Sequence, residues 1–182
     1  VPAFLGWTDP GSAFSAAMQL AALAAVVSYF WADVKGLFVN SLSALSQGRF
    51  SDHSLRFVIW VCIATIPIGL AGLALAPVLN ACNSPLRRIE VIGWACVGLA
   101  ALLGIAEIRA RHRRTMEQAS FWDALLVGIA QVGALIPGVS RSGSTLTGAL
   151  ALGFKREEAA RFSFLLGVPA ITLAGLKEIY EL

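Results

Sequence analysis

Two strongly apolar stretches flank the sequence Pro137-Gly138-Val139-Ser140-Arg141-Ser142-Gly143-Ser144-Thr145. A guanidinium in such surroundings requires a physical reason, because an uncompensated charge inside a membrane costs roughly 2.5–3.5 kcal/mol on insertion scales. Arg141 offers a planar fork of donors that suits phosphate oxygens. Gly138 and Gly143 permit backbone turns that present N–H groups to an anion. The segment therefore predicts a phosphate-binding loop within a membrane protein.

The hydroxyls of this loop add further donors. Ser144 or Thr145 is predicted to cap a following helix, whose N-terminus would favour negative charge. Gln131, in the preceding apolar stretch, is the other polar side chain predicted to point inward. It either contacts the ligand or hydrogen-bonds a neighbouring helix. The alternative for the whole loop is a solvated turn with one incidental arginine.

Composition places the chain in a membrane. Of its 182 residues 57% are hydrophobic and 14% are charged, whereas a soluble domain has about 25% charged residues. The mean hydropathy is +0.74, so the apolar excess is expected to face lipid. The three cysteines form no CxxC pair, and neither a disulfide framework nor a zinc site is predicted.

The basic residues are clustered rather than spread. The formal net charge is +3, and four arginines fall within six positions: Arg109, Arg111, Arg113 and Arg114. Beside long apolar segments such a run indicates a cytoplasmic loop under the positive-inside rule and not a nucleic-acid surface. Lys155, Arg156 and Arg161 are predicted to lie on the same side.

Segment lengths predict the architecture. Crossing a bilayer takes roughly 17–25 apolar residues, and four segments qualify: 13–31, 55–79, 89–108 and 159–176. Between the last two, the apolar stretch 121–136 is broken at Pro137, and the stretch 146–154 has only about nine residues. Irregular backbone at membrane depth survives only where protein or a watery cavity surrounds it. We therefore predict a re-entrant helix–loop–helix whose loop is reached through a central cavity, beside the last segment.

The predicted fold class is an all-α, polytopic membrane helical bundle forming a single transmembrane domain over residues 1–182. Ala13-Phe14-Ser15 faintly resembles Arg161-Phe162-Ser163, each followed by an apolar segment. This similarity favours an inverted-repeat architecture with the site at the repeat interface. The chain opens on Val1 without a methionine, so part of a longer protein is expected to be missing.

The motifs also carry a family resemblance that extends over essentially the whole chain. The run from Gln131 to Thr145, followed by Phe162-Ser163-Phe164-Leu165-Leu166-Gly167-Val168-Pro169, resembles the undecaprenyl-diphosphatase, or bacitracin-resistance, family; Asp9-Pro10-Gly11 is similar to a family segment. The resemblance implies a multi-pass enzyme of the bacterial inner (plasma) membrane. It would remove the terminal phosphate of the C55 lipid-carrier diphosphate, supply the monophosphate for peptidoglycan synthesis and confer bacitracin resistance.

The resemblance also implies the site residues. Ser140, Arg141 and Thr145 match the family's essential diphosphate positions and are the predicted catalytic residues. The predicted substrate-binding residues are Gly138, Ser142, Gly143, Ser144 and Gln131. Mg²⁺ or Ca²⁺ is implied as a cofactor, but the family's acidic motif would precede Val1, and its final helices would follow the region of Glu178. No metal ligand is therefore predicted here, and the isolated chain is expected to be inactive.

The expected partners are the polyprenyl diphosphate substrate and membrane lipids, with no nucleic acid; a homodimer is left open. Ser140 and Thr145 are predicted to be phosphate ligands rather than nucleophiles, because no histidine is near them in sequence. His53 and His112 are predicted to be solvated in surface loops. The main rival function is a transporter or flippase of a lipid phosphate, for which a broken helix and a central arginine suit equally well. A structural membrane subunit is a third alternative.

Overall fold

The computed structural model of the chain describes residues 11–79, 86 and 88–180. Residues 9 and 10, which contribute to the family resemblance, lie outside this part. Within it the structure is all-α, as predicted. Its α-helices, in chain order, are α1 Gly11–Tyr29, α2 Trp31–Ser46, α3 His53–Leu79, α4 Ile89–Arg109, α5 Phe121–Val132, α6 Arg141–Ala151 and α7 Arg156–Tyr180, with 3-10 turns at Met116–Gln118 and Gly133–Leu135.

Helices α1 and α2 form a bent pair with an angle of 78° between them. The predicted first span, residues 13–31, therefore ends as expected, but α2 was not predicted. Its sequence is amphipathic: Val34 and Leu37 pack against the core, while Ser41 and Ala44 are buried. Its opposite face is exposed, so its average apolarity is too low to mark it as a span.

Helices α3 and α4 contain the two described segments that are long and apolar enough to cross a membrane. These are His53–Leu75 and Ile89–Arg109, and the bent pair would make a third span if counted as one. The fourth predicted segment, residues 159–176, lies within α7, which is not among these candidate spans. The outward face of α4 exposes Trp94, Val97 and Leu102. Such a face is suited to lipid.

Helices α5 and α6 form the predicted helix–loop–helix, and its re-entrance into the membrane stays a prediction. They have 12 and 11 residues, or about 18 and 17 Å of helix, well short of a hydrocarbon core of about 30 Å. Their outer ends meet at Arg114, whose guanidinium pairs with Asp123 and whose backbone N–H donates to the Gly153 carbonyl at 3.0 Å. The predicted start of the second helix was wrong, because α6 begins at Arg141 and not at residue 146.

Small residues let α5 pack against the neighbouring helices. At Gly128 an added Cβ would lie 2.5 Å from the Ala64 carbonyl oxygen of α3. Helix α7 also packs against α3. There the Phe162 ring of α7 meets the Phe57 ring of α3 edge to face, with the ring centroids 5.7 Å apart. The core therefore consists of backbone contacts between α3 and α5 with aromatic packing beside them.

We predict that Gly128→Ala in the full-length protein lowers stability by about 1–3 kcal/mol, because the backbone of α3 has to move away from the new methyl group. Thermal unfolding in detergent measures the effect. Gly104→Ala in α4 is the matched control, since a Cβ there meets no atom within 4 Å. Equal melting temperatures for both variants would contradict the close crossing.

Candidate functional site

The turn before α6 depends on Gly138. This residue has a φ of +95°, and a Cβ there would lie 2.7 Å from the Ile92 carbonyl oxygen of α4. The Cys96 thiol, also in α4, donates to the Gly138 carbonyl at 3.1 Å. Any side chain would strain the turn and clash with α4, so glycine is required here on both counts.

Ser140 is the N-cap of α6. Its hydroxyl oxygen accepts a hydrogen bond from the Gly143 N–H at 3.2 Å. The prediction that Ser144 or Thr145 caps this helix was therefore wrong, because the helix begins four residues earlier. The N–H groups of Arg141 and Ser142 occupy the first helical positions, which have no intrahelical acceptor. The helix N-terminus therefore offers free donors in a field that favours an anion.

Three of the predicted site residues lie together at this N-terminus. Ser140 and Ser142 are exposed, with their hydroxyl oxygens 3.3 Å apart, and Arg141 is half-buried between them. Within the described residues the Arg141 guanidinium has one partner, the Gly167 carbonyl of α7, at 3.5 Å. Most of its donors are therefore available to a ligand.

The last two residues of the motif face inward. Thr145 is 1% exposed, and its hydroxyl contacts the Arg141 and Ser142 carbonyls at 3.0 and 3.1 Å, as well as the Ser163 hydroxyl of α7. The Ser144 hydroxyl donates to the Ala130 carbonyl of α5. Both hydroxyls join α6 to its neighbours, on the side away from the exposed serines.

Gln131 lies in the buried stripe of α5 and is fully inaccessible. Neither its Nε2 nor its Oε1 has a hydrogen-bond partner within the described part of the chain. The structure therefore gives no support to the alternative in which Gln131 joins two helices by a hydrogen bond. Leaving a buried amide unpaired costs about 1–3 kcal/mol, so the side chain has the capacity to bind water or a polar ligand group.

Helix α4 shows where the site lies along the bundle. Gly138 contacts Ile92, near the start of α4, whereas the arginine cluster begins at Arg109, where α4 ends. The 17 residues between them correspond to about 26 Å. Arg156 pairs with Glu107, so both basic segments lie at the same end, as predicted. The turn therefore lies toward the end of α4 that is opposite the basic segments.

Within the described part of the chain Ser140 and Ser142 are exposed and no central cavity encloses them. Access through such a cavity in the full-length protein stays a prediction. A separate polar cavity of about 250 Å³ has Asp33, His53, Glu158 and Arg161 among its lining residues. The Asp33–Arg161 ion pair, at 2.7 Å, lies beside it. His53 starts α3 and is exposed, as expected, but His112 is half-buried beside Glu107.

The described residues do not provide a metal site. Among residues 11–79, 86 and 88–180, no three His, Cys, Asp or Glu side chains are grouped so that they could hold a metal ion. His112 contacts Glu107, at the end of α4 opposite the turn. The Mg²⁺ or Ca²⁺ that the resemblance implies therefore does not fit the described residues.

Comparison with known proteins identifies the family of the chain. The family model described as bacitracin resistance protein BacA matches residues 1–182. The chain belongs to this family. It is 70% identical over 182 residues to undecaprenyl-diphosphatase 2 of Mesorhizobium japonicum, with 100% of the chain and 69% of that protein covered. It is 49% identical over 179 residues to the undecaprenyl-diphosphatase of Gloeobacter violaceus, with 98% and 62% covered.

A third relative, the undecaprenyl-diphosphatase of Trichormus variabilis, is 46% identical over 182 residues, with 100% of the chain and 57% of that protein covered. The chain thus spans between 57% and 69% of the length of these three relatives. The predicted family is confirmed, and the apolar candidate spans support the predicted membrane location. The roles of individual residues stay predictions.

Sequence reasoning missed two sets of contacts in this BacA-family chain, one at the turn and one at the opposite end of the helix pair. Ser163 was part of the quoted resemblance but had no predicted role, although its hydroxyl donates to the Ser142 carbonyl at 2.9 Å. Arg114 was counted only as one charge of a cluster. Its partner Asp123 follows Ser120 in a capping box, and that Ser-x-x-Asp spacing could have marked Asp123, although not the arginine that pairs with it.

We predict that Thr145→Val destabilises the full-length protein by about 1–3 kcal/mol, because it removes the hydroxyl that joins α6 to α7. Thr145→Ser should retain most of the stability, and thermal unfolding in detergent measures both. Thr147→Val is the matched control in the same helix, since its hydroxyl donates only to the Gly143 carbonyl one turn earlier. A Thr145→Val protein as stable as the control would refute the joining role.

Proposed function

We propose that this chain provides the diphosphate-binding part of an undecaprenyl-diphosphatase. The substrate is the C55 polyprenyl diphosphate, and the products are the polyprenyl monophosphate and inorganic phosphate. The observation that carries the proposal is the Arg141 guanidinium, which has free donors beside the N-terminus of α6. The proposed substrate is supported by the names of the three relatives, each of which is called an undecaprenyl-diphosphatase.

The proposed chemistry is hydrolysis of a phosphoanhydride. A water molecule gives a proton to a base supplied by the rest of the full-length protein, and its oxygen bonds to the terminal phosphorus. The bond from that phosphorus to the bridging oxygen breaks, and the bridging oxygen leaves with the lipid monophosphate. Negative charge develops on the oxygens around the terminal phosphorus. Arg141, the N–H groups that open α6 and the Ser140 and Ser142 hydroxyls would stabilise that charge through preorganised donors. Thr145 and Ser144 would keep these donors in position through their contacts with α7 and α5.

Gln131 has a separate proposed role. Its amide is buried and unpaired within the described residues, on the half-helix that precedes the turn. We assign it to the polar environment beneath the substrate, where it would bind a substrate oxygen or an ordered water. Gly138 and Gly143 would contribute shape, because each packs against α4 without a side chain.

The position of the site suits an amphiphilic substrate. The turn lies near the membrane end opposite the arginine cluster, and the lipid-facing surface of α4 continues from it. A diphosphate at the surface with its polyprenyl chain along the apolar helices would satisfy both parts of the molecule. The homodimer stays a prediction; the exposed face of α4 is the surface on which lipid or a second copy would pack.

The described residues lack a general base beside Ser140 and a ligand set for a metal. Because the relatives extend beyond the matched region, we propose that residues there supply both functions. The 182-residue chain, reconstituted alone, should then release no phosphate above background with Mg²⁺ or Ca²⁺, whereas the full-length protein should release it. Metal-dependent hydrolysis by the isolated chain would contradict this division.

We predict that Arg141→Lys lowers kcat/KM of the full-length protein for the C55 diphosphate by roughly 10²–10³, because lysine cannot present two donors in a fixed fork. Phosphate release in detergent is the measurement. Arg109→Lys is the matched control, since Arg109 is exposed at the opposite end of α4. A folded Arg141→Lys protein with near-normal turnover would contradict the proposed role of Arg141 as a ligand of the diphosphate.

The transporter alternative is separated from hydrolysis by the same assay. A transporter of a lipid phosphate would move the substrate across vesicles and release no phosphate in detergent. The bend of 78° between α1 and α2 is the feature that keeps this alternative open, because broken helices are common in transporters. Phosphate release that depends on Arg141 would support the hydrolase and exclude a transporter that leaves its substrate intact.

A further inference from the structure

We propose that Arg114 is a positioning residue for the α6 N-terminus, which it controls by fixing the outer ends of the re-entrant pair. This inference rests on the proposed function of Ser140, Arg141 and Ser142 as diphosphate ligands. Arg114 lies at the opposite end of the pair and is outside their reach, so its effect on the site would pass through α5 and α6.

The Arg114 side chain binds three segments at once. Its Nη1 and Nη2 donate to the two carboxylate oxygens of Asp123, at 2.8 and 2.6 Å, which attaches it to the start of α5. Nη1 also donates to the Leu152 carbonyl, directly after α6, at 3.1 Å. Nη2 donates to the Gln118 carbonyl at 3.1 Å. One guanidinium therefore connects the beginning of the hairpin to its end.

The backbone and an aromatic ring reinforce this connection. The Arg114 N–H donates to the Gly153 carbonyl at 3.0 Å, and the Lys155 N–H donates to the Arg114 carbonyl at 2.9 Å. The guanidinium carbon lies 4.6 Å from the centroid of the Phe154 ring, a cation–π distance. The end of α6 is thus fixed on both sides of Phe154.

Asp123 is itself fully engaged. Its Oδ2 accepts from the Ser120 N–H at 2.8 Å and from the Ser120 hydroxyl at 2.7 Å, in addition to Arg114. The hydrogen bonds that Arg114 donates to Asp123 outweigh burial and raise the pKa of the guanidinium above its ordinary value. The pair stays ionised throughout the physiological pH range.

This pair differs from the other arginine–carboxylate pairs of the basic end. The Arg114 and Asp123 side chains are 34% and 10% exposed, whereas those of Arg156 and Glu107 are 68% and 36% exposed. An exposed pair is screened by water and fixes little. The Arg114 fork, by contrast, has four acceptors in defined directions, which a lysine ammonium cannot match.

The length of α6 explains how this contact reaches the site. From Arg141 to Ala151 the helix is about 17 Å long. A rod of that length that tilts by about 5° around its fixed end moves its other end by roughly 1.5 Å. A misplacement of about 1 Å at a catalytic group is enough to cost about 10²-fold in rate. Loosening Arg114 should therefore displace the Arg141 end.

The test uses the full-length protein with Arg114→Gln, Arg114→Lys and the matched control Arg113→Gln. Arg113 is exposed, and its backbone N–H also donates to the Gly153 carbonyl, but its side chain has no partner within the described residues. We expect Arg114→Gln to lower kcat by roughly 10–100-fold with less than about a threefold change in KM. The kcat of Arg114→Lys should lie between those of Arg114→Gln and the unmodified protein. The kcat of Arg113→Gln should stay within about twofold of the unmodified protein.

A second readout is independent of catalysis. Spin labels at positions 97 and 142, in a background without Cys62, Cys82 and Cys96, report the distance between α4 and the start of α6. Arg114→Gln should broaden this distance distribution, and Arg113→Gln should leave it unchanged. If Arg114→Gln does not fold, Arg114→Lys decides, because it keeps the charge and loses the contacts to Leu152 and Gln118.

An unchanged distance distribution and unchanged kcat in the folded Arg114 variants would overturn the proposal. So would a rise in KM alone, which would indicate a contact to substrate. If the unmodified full-length protein hydrolyses no C55 diphosphate, the proposed function fails, and the distance measurement alone then decides whether Arg114 positions α6.

Discussion

An interrupted helix inside an apolar bundle has to satisfy its own backbone groups, because lipid offers them no hydrogen bonds. This constraint explains the polar residues around the α5–α6 turn. The Gly138 carbonyl accepts from the Cys96 thiol, and the Ala130 carbonyl accepts from the Ser144 hydroxyl. At the outer end, the Arg114 guanidinium donates to the Leu152 carbonyl directly after α6 and to the Gln118 carbonyl in the 3-10 turn before α5. Many of the motif's polar atoms thus maintain the break that creates the site.

Close backbone contact supplies the rigidity that hydrogen bonds alone would not give. Helices in a membrane gain little from hydrophobic attraction, so small residues at the crossings let dispersion forces act at short range. Gly128 rests on α3, and Gly148 rests on α5, where an added Cβ would lie 3.0 Å from that of Ala130. Gly138 rests on α4 in the same way. Three neighbouring elements therefore fix the turn, which is the preorganisation that electrostatic catalysis needs.

Hydropathy and segment length predicted the apolar helices and the re-entrant pair because both depend on burial averaged over many residues. The start of α6 was missed because serine and glycine disfavour helix interiors, although Ser140 is an equally good N-cap signal. Helix α2 was missed because its polar face lowers its hydropathy below that of a span. The role of Arg114 depends on which of four clustered arginines meets Asp123, and chain spacing alone does not determine that choice.

The distribution of ion pairs connects this fold to its chemistry. The ion pairs in the described part of the chain, such as Arg114–Asp123 and Arg161–Asp33, all lie toward the basic end. Arg141, at the end of α6 about 17 Å from the Arg114 end, contacts only the Gly167 carbonyl among the described residues. A partly desolvated cation without a carboxylate is unfavourable, and an anionic ligand at the α6 N-terminus relieves that penalty. In the proposed site, the lack of a carboxylate partner for Arg141 among the described residues would favour the binding of a phosphate.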